Sequence, residues 1–140
     1  MARDEKLDLL RRVPLFARCD GRQIERIGML ADEVDLPKGR VLMRQGERGE
    51  EMFVLIDGAV RVERDGRSTD MDRGGEFFGE IALLDGGPRT ATVELTMDSR
   101  LLVISRREFH TMMDELPDLR LQVLEALAQR VRSSEPDSAH

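Results

Sequence analysis

One stretch of the chain combines residue types and spacings suited to chemistry: Phe77-Phe78-Gly79-Glu80-Ile81-Ala82-Leu83-Leu84-Asp85-Gly86-Gly87-Pro88-Arg89-Thr90-Ala91. Gly79 lets whatever sits before it approach the backbone closely. Glu80 to Leu84 are good helix formers, and Gly86-Gly87-Pro88 stops them after little more than one turn. A helix that short, enclosed in a barrel, leaves its first N–H groups without partners, and such donors favour an anion. Arg89 falls, at a period of two, with Ala91, Val93 and Leu95 on the apolar side of the next strand. A guanidinium turned inward is costly unless an anion meets it. Two arrangements satisfy it. One is a salt bridge to Glu80. The other is a phosphate, which matches the arginine's fork of donors, satisfies the helix amides as well, and leaves Glu80 to accept from sugar hydroxyls.

The surrounding sequence divides by glycine use. Ten of the twelve glycines lie from Gly39 to Gly87 and none follows, so a turn-rich centre stands between helix-like ends. This suits a small β-barrel with attached helices. At the N-terminal end, leucines among charges over 3–12 form one helical piece that Pro14 ends. Asp20 with Gln23 reads as a capping box opening a second, with Ile24, Ile27, Leu30 and Ala31 at helical spacing. Cys19 and Ile24 are placed as its hydrophobic staple.

In the centre, Val41–Met43, Phe53–Ile56, Ala59–Val62, Arg67–Asp72, the alternating Ala91–Met97 and Leu101–Ile104 read as strands. Asp57-Gly58 and Asp65-Gly66 each signal a tight hairpin, because both residue types tolerate positive φ. Ser105 and Glu108 form a second capping box, with Ile104 and Phe109 as staple, and Leu119, Val123, Leu127 and Val131 recur about once per turn after Pro117. Glu47, Glu50 and Glu51 read as a solvated loop, and Arg106-Arg107 as the solvated first turn of a capped helix. The expected layout is therefore one domain over 1–132: N-terminal helices at 3–31, barrel at 33–104 and C-terminal helices at 105–132. A polar, disordered tail follows at 133–140.

Composition narrows the function. With 22 basic and 28 acidic residues the net charge is -6, against a general nucleic-acid binder. The single cysteine excludes an internal disulfide, and His110 and His140 alone make no histidine metal cage. No apolar run approaches the ~20 residues of a membrane span, and the first sixteen residues lack a signal-peptide pattern. A cytoplasmic protein without catalytic residues, metal ligands or a cofactor is expected.

Phe78-Gly79-Glu80-Ile81-Ala82-Leu83-Leu84 followed by Pro88-Arg89-Thr90-Ala91 resembles the phosphate-binding cassette of cyclic nucleotide-binding domains. That family includes kinase regulatory subunits, cyclic-nucleotide-gated channels and catabolite-activator-type regulators. Pro37-Lys38-Gly39-Arg40-Val41-Leu42, Gly46 and Asp57-Gly58 resemble its β-roll glycine pattern, and Leu15-Phe16 with the Asp20–Ala31 helix its N-terminal segment. The resemblance covers roughly residues 7–132.

It implies a mainly β jelly-roll barrel with flanking helices that binds cAMP, cGMP or both, with cAMP the expected physiological ligand. By carry-over, Arg89 pairs with the cyclic phosphate, lined by the N–H groups of Ala82 and Leu83 within Gly79 to Leu83. Glu80 takes the ribose 2′-hydroxyl. Thr90 stands where some members contact the guanine amino group, although its hydroxyl equally suits a strand-turn cap. Arg130 resembles a channel-type arginine lying over the purine, or else a cation complementing the helix dipole. The implied mechanism is a switch: phosphate draws the cassette inward and the helices at 105–116 and 118–132 close over the base. The expected partner beyond the nucleotide is a second copy or an effector outside this chain. A catabolite-activator-type sensor lacking its DNA-binding domain is the alternative, since a helix-turn-helix would have to follow the last helix.

Overall fold

The computed structural model describes residues 3–13 and 16–134. Pro14 and Leu15 lie outside the described residues, as does the expected tail from 135 onward. Among the described residues, five helices and eight strands follow in chain order. Helices α1 (Arg3–Arg12) and α2 (Gly21–Leu30) precede β1 (Asp32–Leu36), β2 (Val41–Met43), β3 (Glu51–Asp57), β4 (Val60–Arg64), β5 (Arg67–Met71) and β6 (Phe77–Phe78). Helix α3 (Glu80–Asp85) interrupts before β7 (Thr92–Leu95) and β8 (Ser99–Ser105), and α4 (Arg106–Glu115) and α5 (Pro117–Ser134) close the chain.

Two four-stranded antiparallel sheets face each other, in the orders β1-β8-β3-β6 and β2-β7-β4-β5. Their stacking explains the continuous apolar run of β3. Phe53 and Leu55 point into a core shared with Val60, Phe78, Val93, Leu95 and Leu101 of both sheets. Met52 and Val54 point the other way, into a second core with Leu10, Ile24, Ile27, Phe109, Met112 and Leu119 of the helices and Phe16 between α1 and α2. A strand buried on both faces shows no alternation. The second sheet has water on its outer side, so β4 and β7 do alternate.

Both capping boxes form. Gln23 N donates to Asp20 Oδ1 at 2.9 Å while Asp20 N donates to Gln23 Oε1 at 2.9 Å. Glu108 N donates to Ser105 Oγ at 3.1 Å and Ser105 N to Glu108 Oε1 at 3.0 Å. Each cap closes a ring of a few residues, so the local sequence suffices to specify it.

The two Asp-Gly signals part company. Asp65 (φ 51) and Gly66 (φ 82) both enter the left-handed region and join β4 to β5 in a two-residue hairpin. Asp57-Gly58 forms no hairpin. Among the described residues Asp65 is the one non-glycine with positive φ, and β3 and β4 lie in different sheets. Gly58, at φ 135, carries the chain from one sheet to the other against Ser99, where no Cβ fits.

Three further expectations need correction. The short strands β1 and β6 were not anticipated: β1 is too acidic to read as a strand, and Phe77–Phe78 is too short for any periodicity. The alternation from Ala91 yields a strand over Thr92–Leu95 alone, leaving Met97 exposed. The last helix runs to Ser134, two residues past the expected boundary at 132.

Candidate functional site

The chemistry-bearing stretch lies where β6 ends and β7 begins. Gly79 is the N-cap of α3 at φ 89, and Gly86 ends the helix at φ 71. Neither value suits an L side chain, which is why glycines bracket this turn. Within α3, Glu80, Ala82 and Leu83 are buried and Ile81 is half-buried. Leu83 anchors the helix in the core that β3 shares with the N- and C-terminal helices. The N–H group of Ala82 belongs to the first turn and has no i−4 partner inside the helix, and that of Leu83 is the first that the carbonyl of the N-cap Gly79 can accept.

Arg89 is 6 % exposed and Ala91 6 %, so the inward face read from the sequence exists. The guanidinium donates from Nη1 to the carbonyl oxygen of Glu51 at 2.6 Å and to that of Gly79 at 3.3 Å. Its Cζ lies 5.9 Å from the centre of the Phe53 ring. Backbone carbonyls thus aim the fork; they do not neutralise its charge. Burial lowers the arginine's pKa and the nearby Arg106 cation lowers it further, while the Glu51, Glu50 and Glu80 carboxylates work in the opposite direction. A cation held this way carries a standing desolvation cost that an incoming anion would relieve.

The backbone of the loop before β3 forms the other half of the site, while the Glu47, Glu50 and Glu51 side chains are exposed, as expected of a solvated loop. Arg89 N donates to the Glu47 carbonyl at 2.8 Å, and Gly46 N donates to the Arg89 carbonyl at 2.9 Å. Gly49 sits directly over the guanidinium: a Cβ there would fall 2.6 Å from Ala82 Cβ and 2.9 Å from Arg89 Cζ. A Cβ on Gly79 would fall 2.5 Å from Arg89 Nη1. Two bare backbones therefore crowd the guanidinium, Gly49 at Cζ and Nε and Gly79 at Nη1. The paired glycines Gly46 and Gly49 were the available sequence signal for this half.

Arg106 was expected in solvent; it ties the site to the C-terminal helices instead. Its Nη2 donates to the carbonyls of Gly49 (2.7 Å) and Ala82 (2.9 Å), and its Nε lies 3.3 Å from Glu50 Oε2. Its own backbone N–H donates to the Glu50 carbonyl at 2.7 Å. The first residue of α4 is thereby bonded to α3 and to the loop that cradles Arg89. Doubly used, Arg106 needs partners 24 and 57 residues away, beyond the reach of any local pattern.

The remaining expected residues are nearby. Pro88 is exposed and bridges to Arg48; Thr90 is half-buried, and its carbonyl accepts from Arg64 Nε at 3.2 Å. Arg130 lies on α5, and its side chain is outside the described residues. Among the described residues no cluster of three His, Cys, Asp or Glu side chains suits a metal ion. No described helix is long and apolar enough to cross a membrane.

A family model for the cyclic nucleotide-binding domain matches residues 33–115, which take in both sheets apart from Asp32 and the site apart from Arg130. The chain belongs to that family. A CRP-like cAMP-activated global transcriptional regulator of Mycobacterium tuberculosis is 28% identical over 130 residues, covering 89% of this chain and 58% of the regulator. The chain thus spans little more than half the length of that relative. Among solved structures, the N-terminal domain of a transcriptional regulator from Streptomyces coelicolor superimposes with TM-score 0.74 at 31% identity, covering 94% of this chain and 95% of that one. The regulatory domain of Toxoplasma gondii PKA, co-crystallised with cAMP, gives TM-score 0.70 at 26% identity, covering 79% of this chain and 44% of that one. As a cyclic nucleotide-binding domain, the chain has the β-roll with flanking helices that the sequence resemblance implied.

Proposed function

We propose that this domain is a cytoplasmic sensor that binds a cyclic purine nucleotide, cAMP, cGMP or both, and breaks no bond in it. One observation carries the reading: a buried guanidinium, gripped by two carbonyls and two glycines, lies beside the first turn of a short buried helix. In this reading Arg89 and the N–H groups of Ala82 and Leu83 hold the cyclic phosphate. Glu80 accepts from the ribose 2′-hydroxyl, with Gly79 alongside, and Ile81, Pro88 and Ala91 frame the cassette. Thr90 and Arg130 meet the base. Phosphate binding draws α3 inward, and Arg106 passes that displacement to α4 and α5, which close over the purine. Such closure requires the ligand to bind the closed state more tightly than the open one.

Native mass spectrometry of protein purified from cells tests the ligand, reporting a bound nucleotide by its mass together with the subunit count. Calorimetry with both nucleotides on wild type and Arg89→Ala tests the site. Unchanged affinity in the variant removes Arg89 from its assigned role.

A second, compatible reading makes the chain the sensor portion of a catabolite-activator-type regulator whose DNA-binding domain lies elsewhere. The 58% coverage of the mycobacterial regulator supports it. So does an apolar stripe on α5, where Leu121 and Leu124 are each 61 % exposed and Val131 is 49 % exposed. A dimer in the mass spectrum is the outcome expected of it.

A further inference from the structure

The first sheet ends on β1, and among the described residues no strand lies beyond it. β8 covers one side of β1 in unbroken register, from Asp32 opposite Val103 to Leu36 opposite Ser99. The other side is a sheet edge, and the outward N–H and C=O groups of such an edge are a template for a further strand. Its two faces differ in chemistry. Val34, opposite Leu101, and Leu36 turn toward the core between the sheets, pack against it, and stay half-buried. Glu33, opposite Leu102, and Asp35, opposite Arg100, take the alternate face. Asp35 Oδ1 accepts from Arg100 Nε at 3.0 Å, and the Asp35 side chain is still 72 % exposed.

The negative charge continues past the end of the strand. Asp35, Leu36, Asp57, Asp98 and Arg100 line a cleft of about 530 Å³. Arg100 is the single cation among the residues lining it, and Asp35, then Glu33 and Asp57, raise its pKa. Acidic residues on an edge keep neutral and acidic strands away. A second copy laid edge to edge through β1 would bring Glu33 and Asp35 of both chains together, and like charges across a strand pair destabilise it. What this edge does not repel is a strand with basic residues facing Glu33 and Asp35. Apolar residues alternating with them would complete the cover of Val34 and Leu36.

We propose that the β1 edge binds an extended segment of a partner protein, alternately apolar and basic, which adds to the first sheet as a fifth strand. Main-chain hydrogen bonds supply the affinity, and the alternating side chains supply the selection. The surface is separate from the cassette. β3 runs from Glu51, whose carbonyl accepts from Arg89, to Asp57 in the cleft, a span of about 20 Å for a seven-residue strand. The inference therefore stands independently of the cyclic nucleotide reading.

NMR of the isotope-labelled full chain tests this with an acetylated, amidated heptapeptide that alternates valine and lysine. Shifts are expected in β1, β8 and the cleft, with slowed amide exchange at alternate residues of β1 and unchanged binding at saturating cAMP or cGMP. Two further peptides carry N-methyl groups on the odd or on the even residues. One should bind and the other should not, since only one set of donors faces β1. Glu33→Gln combined with Asp35→Asn should weaken the lysine peptide roughly two- to thirtyfold, the loss of two opposite-charge cross-strand pairs. A peptide with glutamate in place of lysine should not bind. Binding of both N-methylated peptides, or of neither, overturns strand addition. Displacement by cyclic nucleotide also overturns it, because the peptide would then sit in the cassette. Unchanged affinity in the double variant, or no binding of the lysine peptide at all, overturns it as well. So does protection of β1 that grows with protein concentration in the absence of peptide, which would make a second copy the occupant. If the double variant does not fold, the lysine and glutamate peptides compared on wild type still decide.

Discussion

Replacing Arg89 by methionine should separate binding from stability. In the ligand-free protein the guanidinium donates to the Glu51 and Gly79 carbonyls, and losing a hydrogen bond to a charged group costs about 1.5–3 kcal/mol. The 3.3 Å contact is the weaker of the two, so the loss lies toward one bond rather than two. Against it stands relief of a 6 % exposed cation whose burial already lowers its pKa, a penalty of several kcal/mol per buried ion. The two effects are similar in size, and methionine fills much of the same volume. Ligand-free stability should change by no more than about 1 kcal/mol. Binding should behave differently, since truncating one partner of a buried charged pair costs about 2–5 kcal/mol, or roughly 30- to 4,000-fold in affinity. Wild type at a nucleotide concentration of 100 Kd should gain about 2.7 kcal/mol, and the variant at that same concentration no more than about 0.9 kcal/mol. The chain has no Trp or Tyr, so urea unfolding is best followed by helical circular dichroism, with and without nucleotide. A variant that loses more than about 2 kcal/mol without ligand, yet is stabilised by nucleotide as wild type is, would show Arg89 to be a structural strut and refute the reasoning.

Gly79→Ala puts a methyl group 2.5 Å from Arg89 Nη1 at a φ of 89, so it should cost about 1–3 kcal/mol and weaken nucleotide binding; unfolding and calorimetry on one preparation read both. Arg106→Met strips the donor from the Gly49 and Ala82 carbonyls. With that side chain 26 % exposed, water compensates in part, and a loss of about 2 kcal/mol is expected, with faster hydrogen exchange in α3 and the first turn of α4. Burial, reinforced by Asp20, raises the Cys19 thiol to about 11. At pH 8 its thiolate should be scarce enough that alkylation runs roughly tenfold slower than in the urea-unfolded chain, after allowing for the greater nucleophilicity of a more basic thiolate. Since the folded value lies above the unfolded one, the stability this thiol contributes should be lost as pH rises from about 9 through about 11. Wild type and Cys19→Ser unfolding compared at both ends of that window check the sign.

The sequence by itself determined the features whose causes lie within a few residues. Asp20 with Gln23 and Ser105 with Glu108 each close a capping ring that spans four residues. Gly79 and Gly86 bracket a helix too short to be anything but a turn of donors, and Asp65-Gly66 supplies two positive φ values in a row. Period two placed Arg89 on an apolar face, and its 6 % exposure agrees. Tertiary structure decided the rest. Asp57-Gly58 carries the same turn chemistry as Asp65-Gly66, but β3 finds β6 and β8 as partners while β4 finds β5 and β7. A turn propensity permits a hairpin; burial of both faces of β3 between helices and the second sheet selects a crossing instead. Between Arg89 with Glu80 and Arg89 with a phosphate, the sequence alone left the choice open. The fold adds partners that neither arrangement included, the carbonyls of Glu51, 38 residues away, and Gly79. Gly49 and Arg106 matter for the same reason, because each acts only on groups that the chain reaches after both sheets have closed.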